Sequence, residues 1–458
     1  MKKVFCLLLA AAMLMTVFVG CGPTQRPGGD TEETIPDDGR THLTFYAREF
    51  EEWANAHVKE LVERFNQEQS DIYVTVKFFT GDTYSDALTV ARENGKAPDV
   101  YMLEYGSLTT HAKNGYASAL NDLLPQEALD DLLDNVRQMV TYKDKIYAYP
   151  WVLEPATLLF YRKDILQSNG IEKVPQTWQE LYDACAKLKT TRKLGEYCLG
   201  LPVSSVEYAW TTYGMQQNTC GTLAVDDSWM VSNIENQGYK DLCEFFYTIY
   251  SNGYAPSAAI TSEGYTYIVD ALCKGTLAMT FGGSWSIAEI HQYFPEMADK
   301  IGVVPIPTRD GNSSITTSGN GGWTYCISGD SMKQTAAATF LKWLFVDDVE
   351  RTGEYFLKAY NSKAPTSKAL KTYLETAPSD VDPQWVEVMY DVAEKGIPEA
   401  QYPWDIAYAV GMMFETMQIS HSAGSFEEVY SHALRTAKST IDAVMSRVSY
   451  AGNPKYEP

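Results

Sequence analysis

The stretch with the most pointed chemistry is Cys273–Glu289, CKGTLAMTFGGSWSIAE, because it presents one indole, Trp285, on a short and rigid framework. An exposed indole face can stack on the apolar side of a bound molecule, whereas a buried one simply fills a core. Arg48 and Glu104 follow segments that read as strands, so each places a hydrogen-bonding charge where a strand ends. Two carboxylates, Glu104 and Glu154, could in principle serve as acid and base in glycoside cleavage. Neither lies in a recognisable catalytic motif, and no G-x-S-x-G, H-E-x-x-H or Walker pattern occurs. No two cysteines have C-x-x-C spacing, and the six histidines show no zinc-ligand spacing, so neither a metal nor a cofactor is expected.

These side chains need strands and helix starts to hold them. In the Trp285 stretch, Gly275 is expected to close a helix and Thr276–Phe281 to form a buried strand. Gly282 and Gly283 would then allow a tight turn, with Ser284 capping a helix from about Ser286. Upstream, HLTFYA (42–47) reads as a strand, followed by an amphipathic helix at 51–68 whose apolar face carries Trp53, Val58, Leu61, Val62 and Phe65. A β-branched strand at 72–79, a helix at 84–93 and the strand DVYML continue the alternation. Strands alternating with helices imply βαβ units, a mainly parallel sheet and ligands at the carboxyl ends of the strands. Thr177 and Glu180 form a capping-box pair in PQTWQEL, where Trp178 is expected to pack at the helix start. Beyond Asp330 the chain is expected to be almost wholly helical to Val448, and no repeat of fixed period is present.

Met1–Gly20 has the pattern of a secretory signal: Lys2 and Lys3, an apolar run, then small Gly20 before Cys21. FVGC resembles a bacterial lipobox, with Phe18 where leucine is usual, so Cys21 is the expected lipid-modified residue. Residues 21–40 are rich in Gly, Pro, Thr and Asp and read as a flexible tether to the membrane. The 458-residue chain carries a formal charge of −22, and removing residues 1–20 strips two lysines and no acids. So acidic a chain argues against nucleic acid as a partner. Cys185, Cys198, Cys220, Cys243, Cys273 and Cys326 remain after Cys6 and Cys21, and both pairing and buried free thiols are compatible with their spacing.

Read in order, the chain resembles the family 1 extracellular solute-binding proteins, the maltose-binding-protein type of ABC importers. The resemblance rests on GKAPDV (95–100), KIYAYPWVLEPATLLFYRKDIL, PQTWQEL, GTLAMTFGGSW, GVVPIP and YPWDIAYAV, which succeed one another over most of the mature length. It implies an α/β fold of two lobes, each a mainly parallel sheet flanked by helices, joined by a hinge that the chain crosses more than once. One lobe would comprise 41–152 plus 316–361 and the other 153–315 plus 362–458. The resemblance also implies that Trp285 stacks on the ligand, that Glu154 hydrogen-bonds hydroxyls, and that Tyr208, Trp210 and Trp404 are aromatics of the same cleft. Arg48, Glu49, Glu104 and Tyr105 would line it from the first lobe, with Asn320, Gly321 and Gly322 beside a hinge crossing.

The expected function is that of a lipid-anchored monomeric receptor. It would capture a solute, a mono- or oligosaccharide, by hinge closure and deliver it to a membrane permease without cleaving it. The competing readings are an extracellular carbohydrate-active enzyme and a ligand sensor for a signalling kinase.

Overall fold

The computed structural model describes residues 38–201, 204–226, 229, 231–256, 265–313, 318–360, 364–376 and 381–448. The signal segment, Cys21 and the tether to residue 37 lie outside the described residues.

Two sheets organise the chain. The first contains β1 (Thr41–Arg48), β2 (Ile72–Phe79), β3 (Val100–Glu104), β6 (Tyr149–Pro155), β11 (Gly319–Ile327) and β12 (Ile397–Pro398). The second contains β7 (Leu158–Arg162), β8 (Tyr197–Gly200), β9 (Leu277–Gly282) and β10 (Ile301–Val304) in the order β10-β7-β9-β8. A small hairpin of β4 (Thr141–Tyr142) and β5 (Lys145–Ile146) stands apart.

In the first sheet β1 pairs in parallel with both β2 and β3, as βαβ connections require. The long strand β11 runs antiparallel to β3 and to β6, and takes short β12 in parallel at its start. The second sheet departs from the expected parallel arrangement. Only β8–β9 is parallel, while β7 runs antiparallel to both β9 and β10. β7 enters this sheet from β6 of the first sheet across a two-residue link.

Period-2 alternation divides the side chains of β7. Leu158 and Phe160 enter one core with Ile301, Val303, Ile287, Trp385 and Met389, while Leu159 and Tyr161 enter another with Trp178, Phe245, Phe246 and Phe414. A third core, built on Leu43, Phe45, Val100, Met102 and Phe340, belongs to the first sheet. Ala364, Ala369 and Tyr373 also pack there, so the helix Ser367–Thr376 stays with the first lobe. That helix packs against the earlier helix Val349–Ala359.

Local signals hold at several points. Thr177 accepts from the Glu180 amide at 3.1 Å and Glu180 accepts from the Thr177 amide at 3.1 Å, closing the capping box. Trp178 is buried, with its Nε1 donating to the Pro307 carbonyl at 3.1 Å, and so packs at the helix start. The described cysteines are all free thiols, and all but Cys220 are buried.

Candidate functional site

The chain passes between the lobes at β6–β7 and at β10–β11, and the site is built around these crossings. Gly321 of β11 lies opposite Glu154 of β6, and Trp323 lies opposite both Val152 of β6 and Glu104 of β3. Cross-strand partners share a face, as do residues two apart along a strand. Glu104, Trp323, Gly321 and Glu154 are thus presented on one face of the first sheet.

A third carboxylate joins them from the segment after β12. A Cβ on Gly321 would fall 2.8 Å from Glu399 Oε2, and one on Gly106 would fall 3.0 Å from Glu399 Oε1. Glycine at both positions therefore makes room for the Glu399 carboxyl, which also accepts from the Gly106 amide. Burial, and then the neighbouring Glu104 charge, push the Glu399 carboxyl up to about 8. Glu104 in turn accepts from the Ser107 hydroxyl. Glu399 was not among the sequence candidates. Its only local signal was a carboxylate just before the YPW motif, and the glycines that accommodate it are 293 and 78 residues away in sequence.

The opposite wall is aromatic. The Ser284 amide donates to the Pro155 carbonyl at 3.1 Å, which brings the turn carrying Trp285 beside Glu154. Trp285 is half-buried and its ring centroid lies 5.6 Å from that of Trp210, tilted by 37°. The Gly-Gly turn has a more specific purpose than backbone freedom: an ideal Cβ on Gly283 would fall 2.0 Å from Trp285 Cη2. The indole is folded over the Gly283 backbone, and only glycine leaves space for it. The cap position of Ser286–Tyr293 is Trp285 itself, without a side-chain capping bond, and Ser284 is fully buried.

Trp210 packs against a small cluster of Ala209, Tyr213, Ala400 and Ala407. Trp404 stands at the start of the helix Trp404–Ile419 and is 48% exposed, with no ring contact among the described residues. Arg48 lies with its guanidinium carbon 4.7 Å from the Phe50 ring centroid and 5.3 Å from that of Trp323, donating to the Glu49 carbonyl at 2.9 Å. The side chain of Glu49 is exposed at the same rim.

Three expected contacts are not available to a ligand. Tyr208 is 0% exposed, with its hydroxyl 3.2 Å from that of Tyr250 and its ring against Phe246 and Phe414. It is a core residue, because it and Trp210, two positions along the helix Ser205–Thr211, face different sides. Tyr105 is likewise fully buried and donates to the Val152 carbonyl at 3.1 Å, tying β3 to β6. Asn320 is buried, and its Nδ2 donates to the Ala393 carbonyl at 2.6 Å on the far side of β11. Gly321 and Gly322 are partly exposed, and Gly322, at φ +121°, is held where a side chain would meet the Val152 carbonyl at 2.4 Å.

A second buried carboxyl, Glu289, follows Trp285 by one helical turn. It is 4% exposed, its Oε2 has no hydrogen-bond partner, and burial plus the nearby Glu51 charge push it up to about 8. Among the described residues no group of His, Cys, Asp and Glu could hold a metal ion.

This arrangement, an aromatic pair on one lobe facing carboxylates on the other across hinge strands, can be compared with known proteins. Over 202 residues the chain is 29% identical to a lipoprotein of Streptomyces antibioticus, covering 43% of this chain and 42% of that protein. It is 26% identical over 245 residues to a mannitol-binding protein of Pseudomonas aeruginosa, covering 50% and 52%. The chain thus spans about half the length of these curated relatives. Among solved structures, a solute-binding protein of an ABC transporter from Thermotoga lettingae, bound with alpha-D-tagatose, superposes with a TM-score of 0.72 at 21% identity. That match covers 88% of this chain and all of the other, and establishes the two-lobed fold. The description of the bacterial extracellular solute-binding proteins matches residues 51–351, more than half of the chain. With that span and the two-lobed architecture together, the chain belongs to the bacterial extracellular solute-binding protein family.

Proposed function

We propose that this protein is the solute-capturing receptor of an ABC importer, that its solute is a carbohydrate or polyol, and that it releases the solute unchanged to a membrane permease. The observation that carries this reading is the Trp210–Trp285 pair, 5.6 Å apart, set across the hinge strands from Glu104, Glu154 and Glu399. A sugar offers just these two faces: C–H surfaces for an indole and hydroxyls for carboxylates. Because the two sets of groups sit on different lobes, they contact one solute together when the lobes close, so binding selects the closed form. Similarity to a mannitol-binding protein and to a tagatose-bound structure supports this class of solute. Anchoring through Cys21 and action as a monomer complete the reading, and similarity to a lipoprotein supports the anchor.

The experiment is a thermal-shift screen over monosaccharides, oligosaccharides and polyols, with amino acids and phosphate esters as controls. A ligand at a hundredfold excess over its dissociation constant stabilises by about 2.7 kcal/mol, easily seen in a melting curve. The solute should be recovered with its mass unchanged after long incubation, whereas a cleaved product would favour a hydrolase. If only the control classes raise the melting temperature, the carbohydrate reading is wrong.

A further inference from the structure

Two of the buried cysteines meet. Cys185 lies on the helix Trp178–Lys189, on the face that also buries Leu181, Ala184 and Leu188, and Cys198 is the second residue of β8. The helix packs against β8, and both thiols enter the core that holds Trp178, Leu199 and Phe245. The Cys198 thiol donates to the Cys185 carbonyl at 3.3 Å, and the Cys185 thiol donates to the Cys198 sulfur. Among the described residues no other two cysteines hydrogen-bond to each other.

The two thiols differ in electrostatic setting. The bond from Cys185, and then the Arg192 and Lys189 charges, hold the Cys198 thiol below its ordinary range, whereas the same bond and burial push Cys185 well above it. Arg192 is fixed beside them by Nη2, which donates to the Gly275 carbonyl at 2.7 Å and to the Thr276 carbonyl at 2.6 Å. Strand β8 is also the element of this sheet most in need of a tie. It stands at the sheet edge, pairs with β9 alone among the strands, and is entered through a surface turn with exposed Leu194 and Gly195 at φ +85°. The helix Ser205–Thr211, which carries Trp210, follows it.

We propose that Cys185 and Cys198 are a disulfide site, closed once the chain has been exported, that fastens β8 to the helix Trp178–Lys189. The oxidant is a disulfide, carried by an exported dithiol oxidoreductase or by a small molecule. Cys198, as its thiolate, attacks one sulfur of that disulfide and releases the first oxidant thiol. Cys185 then attacks the Cys198 sulfur and releases the second. Two S–H bonds are lost and one S–S bond forms, while the two electrons and two protons end on the oxidant's thiols. Both sulfurs are sealed in the finished core, so the exchange belongs to folding, before the helix seats on β8. The bond closes a loop of about 14 residues and so restricts the unfolded chain. The inference depends on export through the Met1–Gly20 signal and not on which solute is bound.

The test is peptide mapping of the mature chain, unfolded and refolded in mixed reduced and oxidised glutathione, then alkylated under denaturing conditions before proteolysis. The expected result is a peptide pair joined through Cys185 and Cys198, lighter by two hydrogens than the separate thiol peptides. Cys220, Cys243, Cys273 and Cys326 should be found alkylated. Dithiothreitol should then lower the melting temperature by roughly 5–10 °C. The double variant Cys185→Ala with Cys198→Ala should lose this sensitivity to reductant, and the map of the unaltered chain stands by itself if that variant does not fold. Alkylation of both Cys185 and Cys198 after refolding, or linkage of either to another cysteine, overturns the inference. A Cys185–Cys198 link whose reduction leaves melting unchanged overturns the fastening role. The link is read without any solute, so its failure leaves the carbohydrate reading untouched.

Discussion

Substituting Gly283 by alanine tests the site more sharply than removing the indole, because it leaves every polar and aromatic group present. The backbone at Gly283 is not in the left-handed region, so alanine is conformationally allowed there. Its Cβ would nevertheless fall 2.0 Å, 2.1 Å and 2.3 Å from Trp285 Cη2, Cζ3 and Cζ2. Carbon atoms pack at about 3.5–4.0 Å, so the ring must move by at least about 1.5 Å. A forced rotamer change of this kind costs roughly 0.5–1.5 kcal/mol in the free protein. It also breaks the 5.6 Å Trp210–Trp285 arrangement that a solute would meet. A centrally placed aromatic contributes about 2 kcal/mol or more to binding. Gly283→Ala should therefore weaken the solute by roughly thirtyfold, at 1.4 kcal/mol per factor of ten, and Trp285→Ala by at least as much. Calorimetry gives the affinities, and thermal melting shows whether the fold survives. Affinity for Gly283→Ala within about threefold of the wild type, with a normal melting curve, would refute the claim that the seated indole is the anchor.

Other outcomes follow from the buried groups. Glu289 binds its proton more tightly folded than unfolded, so its native state holds the extra proton between about 4.5 and about 8. Stability should fall as pH rises through that window, by up to about 1.4 kcal/mol per unit, and level off above it. Glu399 contributes a similar slope, so Glu289→Gln should reduce the total by about half in denaturant titrations from pH 5 to 8, and an unchanged slope would mean the Glu289 carboxyl is ionised in the fold. Tyr208→Phe loses the bond to Tyr250 and should cost about 1 kcal/mol of stability while leaving solute affinity unchanged. A tenfold affinity loss at constant stability would instead put Tyr208 in the cleft. Thr177→Ala opens the capping box and should destabilise by about 1 kcal/mol in urea melts. Cys21→Ser should block processing or move the protein from the membrane to the soluble fraction, and a processed form that stays membrane-bound would contradict the anchor.

Much of the fold was legible in the sequence because it depends on local periodicity. The alternation in HLTFYA, the helical face from Val58 to Phe65 and the Thr177–Glu180 box are properties of neighbouring residues, and each formed as its pattern required. The position of Trp285 after a strand and two glycines was legible for the same reason. Side-chain direction was not. Tyr208 and Trp210 are two residues apart, yet one fills the core and the other faces Trp285, a division set by which neighbours each side of the helix meets. Tyr105 and Asn320 stand at strand positions beside the cleft but spend their polar atoms on the Val152 and Ala393 carbonyls.

Glu399 shows the limit most clearly. Nothing near it in the chain marks it, and its environment is made by Gly106, Gly321 and Glu104, contributed by other parts of the sequence and brought together only by strand pairing. The direction of β7 was also decided by tertiary structure, since the strands it pairs with, β9 and β10, are remote from it in sequence. Residue types and short-range periodicity thus determined the elements and the kinds of chemistry available. Only long-range pairing decided which carboxylates meet, which aromatics face solvent, and how the indole of Trp285 comes to rest on a glycine.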